Sequence, residues 1–171
     1  MTSYFTNSSL LGVDFNSPST TALFGLNSQA LGSNDSMFQY CIATGTLTTG
    51  QLVQISVQGT AIAITTAILG ASAPVSMDIG LAQYTVAQGS FCWIAKRGQG
   101  LYVQCTGTLP TTVGLGLSPT AGTLQTSLAV GLTMTAGGIF LETSASTATL
   151  SITTCTLQWP RFLTVSTSVV G

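Results

Sequence analysis

The chain has 171 residues, enough for one sizeable core or for one core with an arm, and its formal charge comes from only three Lys or Arg and four Asp or Glu residues. It contains no His, which excludes Ser–His and Cys–His nucleophile pairs and imidazole metal ligands. We therefore expect no enzyme activity and no cofactor. Because a net charge of −1 provides no basic surface, we also expect no nucleic acid partner and no membrane partner.

Residues 1–36 differ in composition from the rest of the chain and are predicted to form an N-terminal arm. They contain all four Asn residues and two of the four acidic residues, and their apolar positions follow neither a strand period nor a helix period. Two interpretations stay open. The segment is either a partly disordered terminus or an arm that orders by lying across a neighbouring subunit, because disordered polar tails rarely carry large apolar groups such as Phe15 and Phe24.

Residues 37–171 are predicted to form one all-β domain, since no stretch combines good helix formers with a helical period. Many short strands separated by Gly turns favour an antiparallel β-sandwich or a small β-barrel, with the arm extended from it. The predicted strands cover residues 38–44, 51–57, 60–68, 79–86, 91–96, 101–106, 113–117, 123–129, 138–142, 148–157 and 162–169.

A hairpin is predicted between the fifth and sixth of these strands. Gly98 and Gln99 suit a two-residue type II′ turn, which places Cys92 opposite Cys105 on a face of aliphatic side chains. The register would allow a disulfide between these two cysteines in oxidising surroundings. Because the first residues do not resemble a secretory signal, buried free thiols are expected at all four cysteines, and their wide spacing disfavours a zinc site.

A weak internal echo connects the two halves of the predicted domain. The sequence GTLTT at residues 45–49 returns as GTLPT at residues 107–111, and Ser56 with Gly59-Thr60 returns as Ser118 with Gly122-Thr123. It would mark two similar hairpins, but with 29 Thr and 19 Gly residues in the chain, chance is the favoured explanation.

Six residues are candidates for a protein interface. Arg beside Trp or Tyr is a common anchor combination at interfaces, and the cations of this chain lie close to aromatic residues. The alternative is that these aromatic side chains belong to the edge of the core. The candidates are Phe15, Phe24, Trp93, Lys96, Arg97 and Tyr102.

Residues 40–127 resemble the small β-rich decoration, or cement, proteins of tailed bacteriophage capsids. The resemblance is carried by CIATGTLTTGQLV at residues 41–53 and GLAQYTVAQGSFCWIA at residues 80–95, and it continues through the strand at 98–106 and SPTAGT at 118–123. It implies a non-enzymatic homotrimer that is made in the host cytoplasm, binds the major capsid protein on the outer capsid surface of the virion and bridges shell subunits.

Three other classes remain open. A tail, fibre or head-fibre component would share the same composition. A carbohydrate-binding adhesin would use exposed Trp and Tyr to stack on sugars. A hydrolase is the least favoured, since the sequence supplies no recognisable catalytic set.

Overall fold

The computed structural model describes residues 13–64, 78–109, 115–117, 123–125, 134–141 and 145–164. All regular elements in these ranges are β-strands, so the all-β prediction is confirmed. The described strands are β1 (Gln29–Leu31), β2 (Met37–Ala43), β3 (Leu52–Ile55), β4 (Thr60–Ala63), β5 (Asp78–Ala82), β6 (Phe91–Leu109), β7 (Leu115–Leu117), β8 (Leu124–Gln125), β9 (Met134–Leu141) and β10 (Ala145–Thr164). Within the described ranges, no helix is long and apolar enough to span a membrane.

Five strands close into a small barrel, which we call ring 1. Its strands pair in the order β2, β4, β3, β5 and β6, and β6 pairs back onto β2. The β2–β4 pairing is parallel and the other four are antiparallel. Of the two architectures predicted, the small barrel is therefore the one that forms.

A second closed set, which we call ring 2, repeats this connectivity strand for strand. Its strands pair in the order β6, β8, β7, β9 and β10, and β10 pairs back onto β6. Again the first strand pairs with the third in parallel, and the other pairings are antiparallel. The long strand β6 is thus the last strand of ring 1 and the first strand of ring 2.

The repeated connectivity gives the sequence echo a structural meaning. Residues 45–49 follow the first strand of ring 1, and residues 107–111 begin at the end of the corresponding strand of ring 2. Thr60 begins the third strand of ring 1, and Thr123 directly precedes the third strand of ring 2. The sequence pattern alone favours chance, but the echoed residues that the structure describes lie close to corresponding places in the two rings. Residues 110, 111, 118 and 122 lie outside the described residues.

The core divides into two clusters because side chains alternate between the two faces of each strand. The cluster inside ring 1 consists of Cys41, Ala43, Leu47, Val53, Ile55, Ala61, Ala82, Val86, Cys92 and Ile94. The second cluster contains residues that point to the opposite, outer face of the ring 1 strands, such as Phe38 and Trp93. These residues pack together with Leu101, Val103 and Cys155 of ring 2. The outer face of ring 1 and the described interior of ring 2 therefore form one continuous core.

The hairpin predicted for residues 91–106 is wrong, because β6 runs without a turn from Phe91 to Leu109. Gly98 and Gly100 have φ angles of 141° and 70°, lie where the register with β10 shifts, and follow a shift in the register with β2 at Lys96. Positive φ at glycine suits a bulge as well as a turn. The strand continues because its first part pairs with β2 and its later part with β10.

Other strand predictions differ from the structure mainly at their ends. The strands predicted at 148–157 and 162–169 are one strand, β10, within the described residues, with a register shift between Leu157 and Arg161. The three-residue strand β1 was not predicted, because the arm has no period-2 pattern. Residues 65–68, 113–114, 126–129, 142 and 165–169 of the predicted strands lie outside the described residues.

The cysteines remain unbridged in this arrangement. Cys92 lies opposite Cys41 across the β2–β6 pair, and Cys105 lies opposite Ser151 on β10, so the predicted facing of Cys92 and Cys105 fails with the hairpin. All four are buried free thiols, which confirms that prediction. Burial raises the pKa of Cys92 and of Cys105 to about 12. Burial, and then the neighbouring Cys92, raise the pKa of Cys41 well above its ordinary value.

These thiols predict a loss of stability in alkali. A buried thiol stays neutral in the folded chain but ionises above pH 9.0 in the unfolded chain. Its contribution to the free energy of unfolding is therefore complete below pH 9.0 and is lost as the pH rises toward about 12. Each such thiol steepens the fall in the free energy of unfolding by about 1.4 kcal/mol per pH unit. Urea unfolding between pH 8 and pH 11 should therefore give a shallower pH dependence for Cys92→Ala than for the unmodified chain. Parallel profiles would contradict the assigned burial.

Candidate interaction surface

The described part of the arm packs its aromatic side chains onto the outer face of ring 1. Tyr40 on β2 and Trp93 on β6 are cross-strand partners whose ring centroids lie 4.9 Å apart. Phe15 approaches Trp93 edge-on at 5.5 Å and stacks on Phe38 at 4.3 Å. Phe24 approaches both Trp93 and Tyr40 edge-on, at 5.2 and 5.3 Å. The arm thus supplies two of the rings that cover Trp93, which is only 3% exposed.

Backbone hydrogen bonds hold the same segment in register. Ser19 and Phe91 exchange N–H···O bonds of 2.9 and 2.7 Å. Asn27 N–H donates to the Tyr40 carbonyl, and Tyr40 N–H donates to the Ser28 carbonyl, both at 2.8 Å. The Leu23 N–H donates to the Tyr40 hydroxyl at 3.0 Å. Residues 13–31 therefore lie against the ring of their own chain, while the boundary between an arm of residues 1–36 and a domain of residues 37–171 stays a prediction.

The two candidate cations are both neutralised by carboxylates. Lys96 is 3% exposed, and its Nζ donates to Asp78 at the start of β5. Burial lowers the pKa of Lys96, and the hydrogen bond from its ammonium group to Asp78 opposes that shift. The Arg97 guanidinium is more exposed and pairs with both the carboxylate and the carbonyl of Asp35. Neither side chain is a free positive charge at the surface.

Of the other candidates, Tyr102 lies on ring 2 away from the arm. Its backbone N–H donates to Oε1 of Gln83 at 2.9 Å, and its carbonyl accepts from Nε2 of the same side chain at 3.3 Å. The structure therefore brings Phe15, Phe24 and Trp93 together and keeps Tyr102 apart. Of these three, Phe24 is the one that keeps substantial exposure.

Sequence reasoning did not select the exposed apolar residues beside Phe24. Leu23 is 67% exposed and Val57, in the turn between β3 and β4, is 89% exposed. The arm meets the β3–β4 turn at Leu26 and Asn27. Leu26 packs so closely on Gly59 that a Cβ added there would lie 2.8 Å from the Leu26 Cβ, and Asn27 Nδ2 donates to the Val57 carbonyl at 2.9 Å. We call Leu23, Phe24, Leu26 and Val57 the arm patch.

The arm patch lies in a part of the chain without formal charge. The sequence has no Asp, Glu, Lys or Arg from residue 15 to residue 34 or from residue 36 to residue 77. Scattered exposed apolar residues are ordinary, but a group of them without charged neighbours in the chain is typical of a protein interface. The signal that could have found it is the coincidence of an uncharged run with large apolar residues in turns.

A polar cleft also opens where β6 passes from ring 1 to ring 2. Its volume is about 260 Å³, and Asp35, Arg97, Gln99, Thr156 and Gln158 are among its lining residues. The two charged groups in it pair with each other. Across the described part of the chain, no three His, Cys, Asp or Glu side chains are grouped to hold a metal ion.

Comparisons with known proteins do not identify the role of the arm patch. No protein-family model and no curated protein matches the chain. Among solved structures, a similar one is the N base of the head fibre gp8.5 of bacteriophage phi29. It has a TM-score of 0.42 and 9% sequence identity, over 74% of this chain and 97% of that chain. A likeness of this size supports no inference about function.

Proposed function

We propose that the protein is a non-enzymatic structural subunit of a virion, which decorates a capsid and stabilises it by bridging shell subunits. The observation that carries the proposal is the arm patch, an exposed apolar surface in a chain whose Lys96 and Arg97 are already neutralised. Such a surface suits burial in a larger assembly and offers no group for catalysis. The resemblance of residues 40–127 to capsid decoration proteins favours the same function.

The resemblance also suggests the partners. We propose that a homotrimer binds the major capsid protein on the outer surface of the shell. Its contacts would be apolar side chains, strand edges and hydroxyl hydrogen bonds, because the chain has few charges to offer. Binding should then change little with salt, unlike binding that depends on exposed ion pairs.

The adhesin alternative has less support among the described residues. Sugar-binding modules need exposed aromatic faces, whereas Trp93 and Tyr40 are buried under the arm. A tail or head-fibre component remains the alternative within the same class, since it would use an apolar patch in the same way.

The test of the proposal compares two variants in co-sedimentation with purified capsids of the virus that encodes the chain. Leu23→Ser with Val57→Ser removes two side chains of the arm patch, which should weaken binding about tenfold or more. Ile152→Ser is the matched control, since Ile152 is 52% exposed on β10 and outside the patch. Equal binding of both variants would exclude the patch. No binding by the unmodified chain, together with retention on a glycan array, would favour the adhesin.

A further inference from the structure

We propose that the arm is exchangeable, so that residues 13–31 of one copy occupy the outer face of ring 1 in a second copy. The receiving surface is the aromatic face of β2 and β6, formed by Phe38, Tyr40, Phe91 and Trp93. The occupant is fixed by the structure, because the same arm already fills this surface within one chain. The inference concerns contacts between copies and does not depend on capsid binding.

The contacts of the arm are self-contained, as exchange requires. Phe15 and Phe24 insert on either side of Trp93, and Ser19 pairs with Phe91 through two backbone hydrogen bonds. Strand β1 pairs with β2 from Gln29 opposite Gln39 to Leu31 opposite Met37. An arm from a second copy would form all of these contacts with the same partners, so exchange loses none of them.

The connection between arm and ring is short and conformationally unusual. Residues 32–36 turn the chain from β1 into β2, and both Asn34 and Asp35 have φ of 55°. Two consecutive non-glycine residues in the left-handed region are uncommon, although Asn and Asp tolerate it better than other residues. An open, extended hinge would release both, and short hinge loops under strain favour exchange.

Opening the hinge also breaks one ion pair and the backbone hydrogen bonds within the turn, such as Gly32 N–H to the Ser36 carbonyl at 2.9 Å, and these losses oppose exchange. Asp35 pairs with Arg97, and the two side chains are 71% and 34% exposed. An ion pair this exposed contributes little to stability because water and salt screen it. The aromatic contacts are the same in both forms and cancel, so the release of the left-handed backbone at Asn34 and Asp35 is what offsets the loss of this pair.

Cysteine pairs distinguish arms held within a chain from arms held between chains. Ser19 and Phe91 are bridge partners far from the hinge, so we mix a Ser19→Cys chain with a Phe91→Cys chain, refold them together and oxidise. A disulfide between position 19 of one chain and position 91 of the other requires the arm of the first chain to lie on the ring of the second. The control is the double variant Gln54→Cys with Ile62→Cys, partners across β3 and β4, which should link only within one chain.

The proposal predicts a mixed covalent dimer from the co-refolded single variants and none from either variant alone. It is overturned if the mixture stays monomeric while the double variant Ser19→Cys with Phe91→Cys links within one chain. Because Phe91→Cys also removes a ring that stacks on Tyr40, the mixture is repeated with Gln29→Cys and Gln39→Cys chains, which are β1–β2 partners. A monomeric result with both pairs rejects exchange.

Discussion

Gly50→Ala is expected to destabilise the protein by roughly 2–5 kcal/mol, far more than the same change at Gly89. Both glycines have positive φ, 81° and 82°. A side chain at Gly50 would lie 2.8 Å from the backbone N of Gln104 and 2.9 Å from the backbone C of Val103, whereas nothing lies within 4 Å at Gly89. Gly50 also accepts a hydrogen bond from Gln104 N–H at 2.7 Å, so this contact joins ring 1 to β6 where β6 enters ring 2.

Gly89→Ala is the control that isolates the left-handed backbone. Its expected cost is roughly 1–2 kcal/mol, because only the conformation and no neighbouring atom opposes the new methyl group. Urea unfolding of both variants measures the difference. Equal losses would mean that the β2–β3 turn does not approach β6 as closely as described.

Trp93→Ala is expected to lower the free energy of unfolding by about 3–5 kcal/mol. The indole is buried and contacts the rings of Phe15, Phe24 and Tyr40, so its loss leaves a cavity between arm and ring. Hydrogen exchange should accelerate at the amides of Ser19 and Leu23, which the arm contacts protect. Ile152→Ala, on an exposed site, is the control for truncation of an apolar side chain.

A loss below about 1 kcal/mol for Trp93→Ala, the size expected at an exposed surface, would contradict the packing of the arm. If the free energy of unfolding falls but amide hydrogen exchange at Ser19 and Leu23 is unchanged, the indole does not hold the arm in place. In that case the aromatic cluster would stabilise ring 1 alone.

Composition and alternation predicted the fold class, and local patterns predicted most strands. The cluster inside ring 1 follows from period-2 alternation, as Cys92 and Ile94 illustrate. The error at Gly98 arose because a glycine with positive φ serves a turn or a bulge equally well. Only the partners of β6, which are distant in sequence, decide between them.

The candidate surface was harder to predict because it depends on contacts between distant segments. Trp93 is of a residue type that often anchors interfaces, but the arm, which is more than 60 residues away in the sequence, covers its side chain. Lys96 is neutralised by Asp78 on another strand. Leu26 and Val57 meet only because the arm crosses the β3–β4 turn, which no local pattern encodes.

We propose that this sparsely charged double barrel is a subunit of a viral shell. The most direct test is quantitative mass spectrometry of purified particles of the virus that encodes it. We expect the chain to be present at a fixed copy number relative to the major capsid protein, before and after a wash in high salt. Absence from intact particles, or a copy number that varies between preparations, would contradict the account.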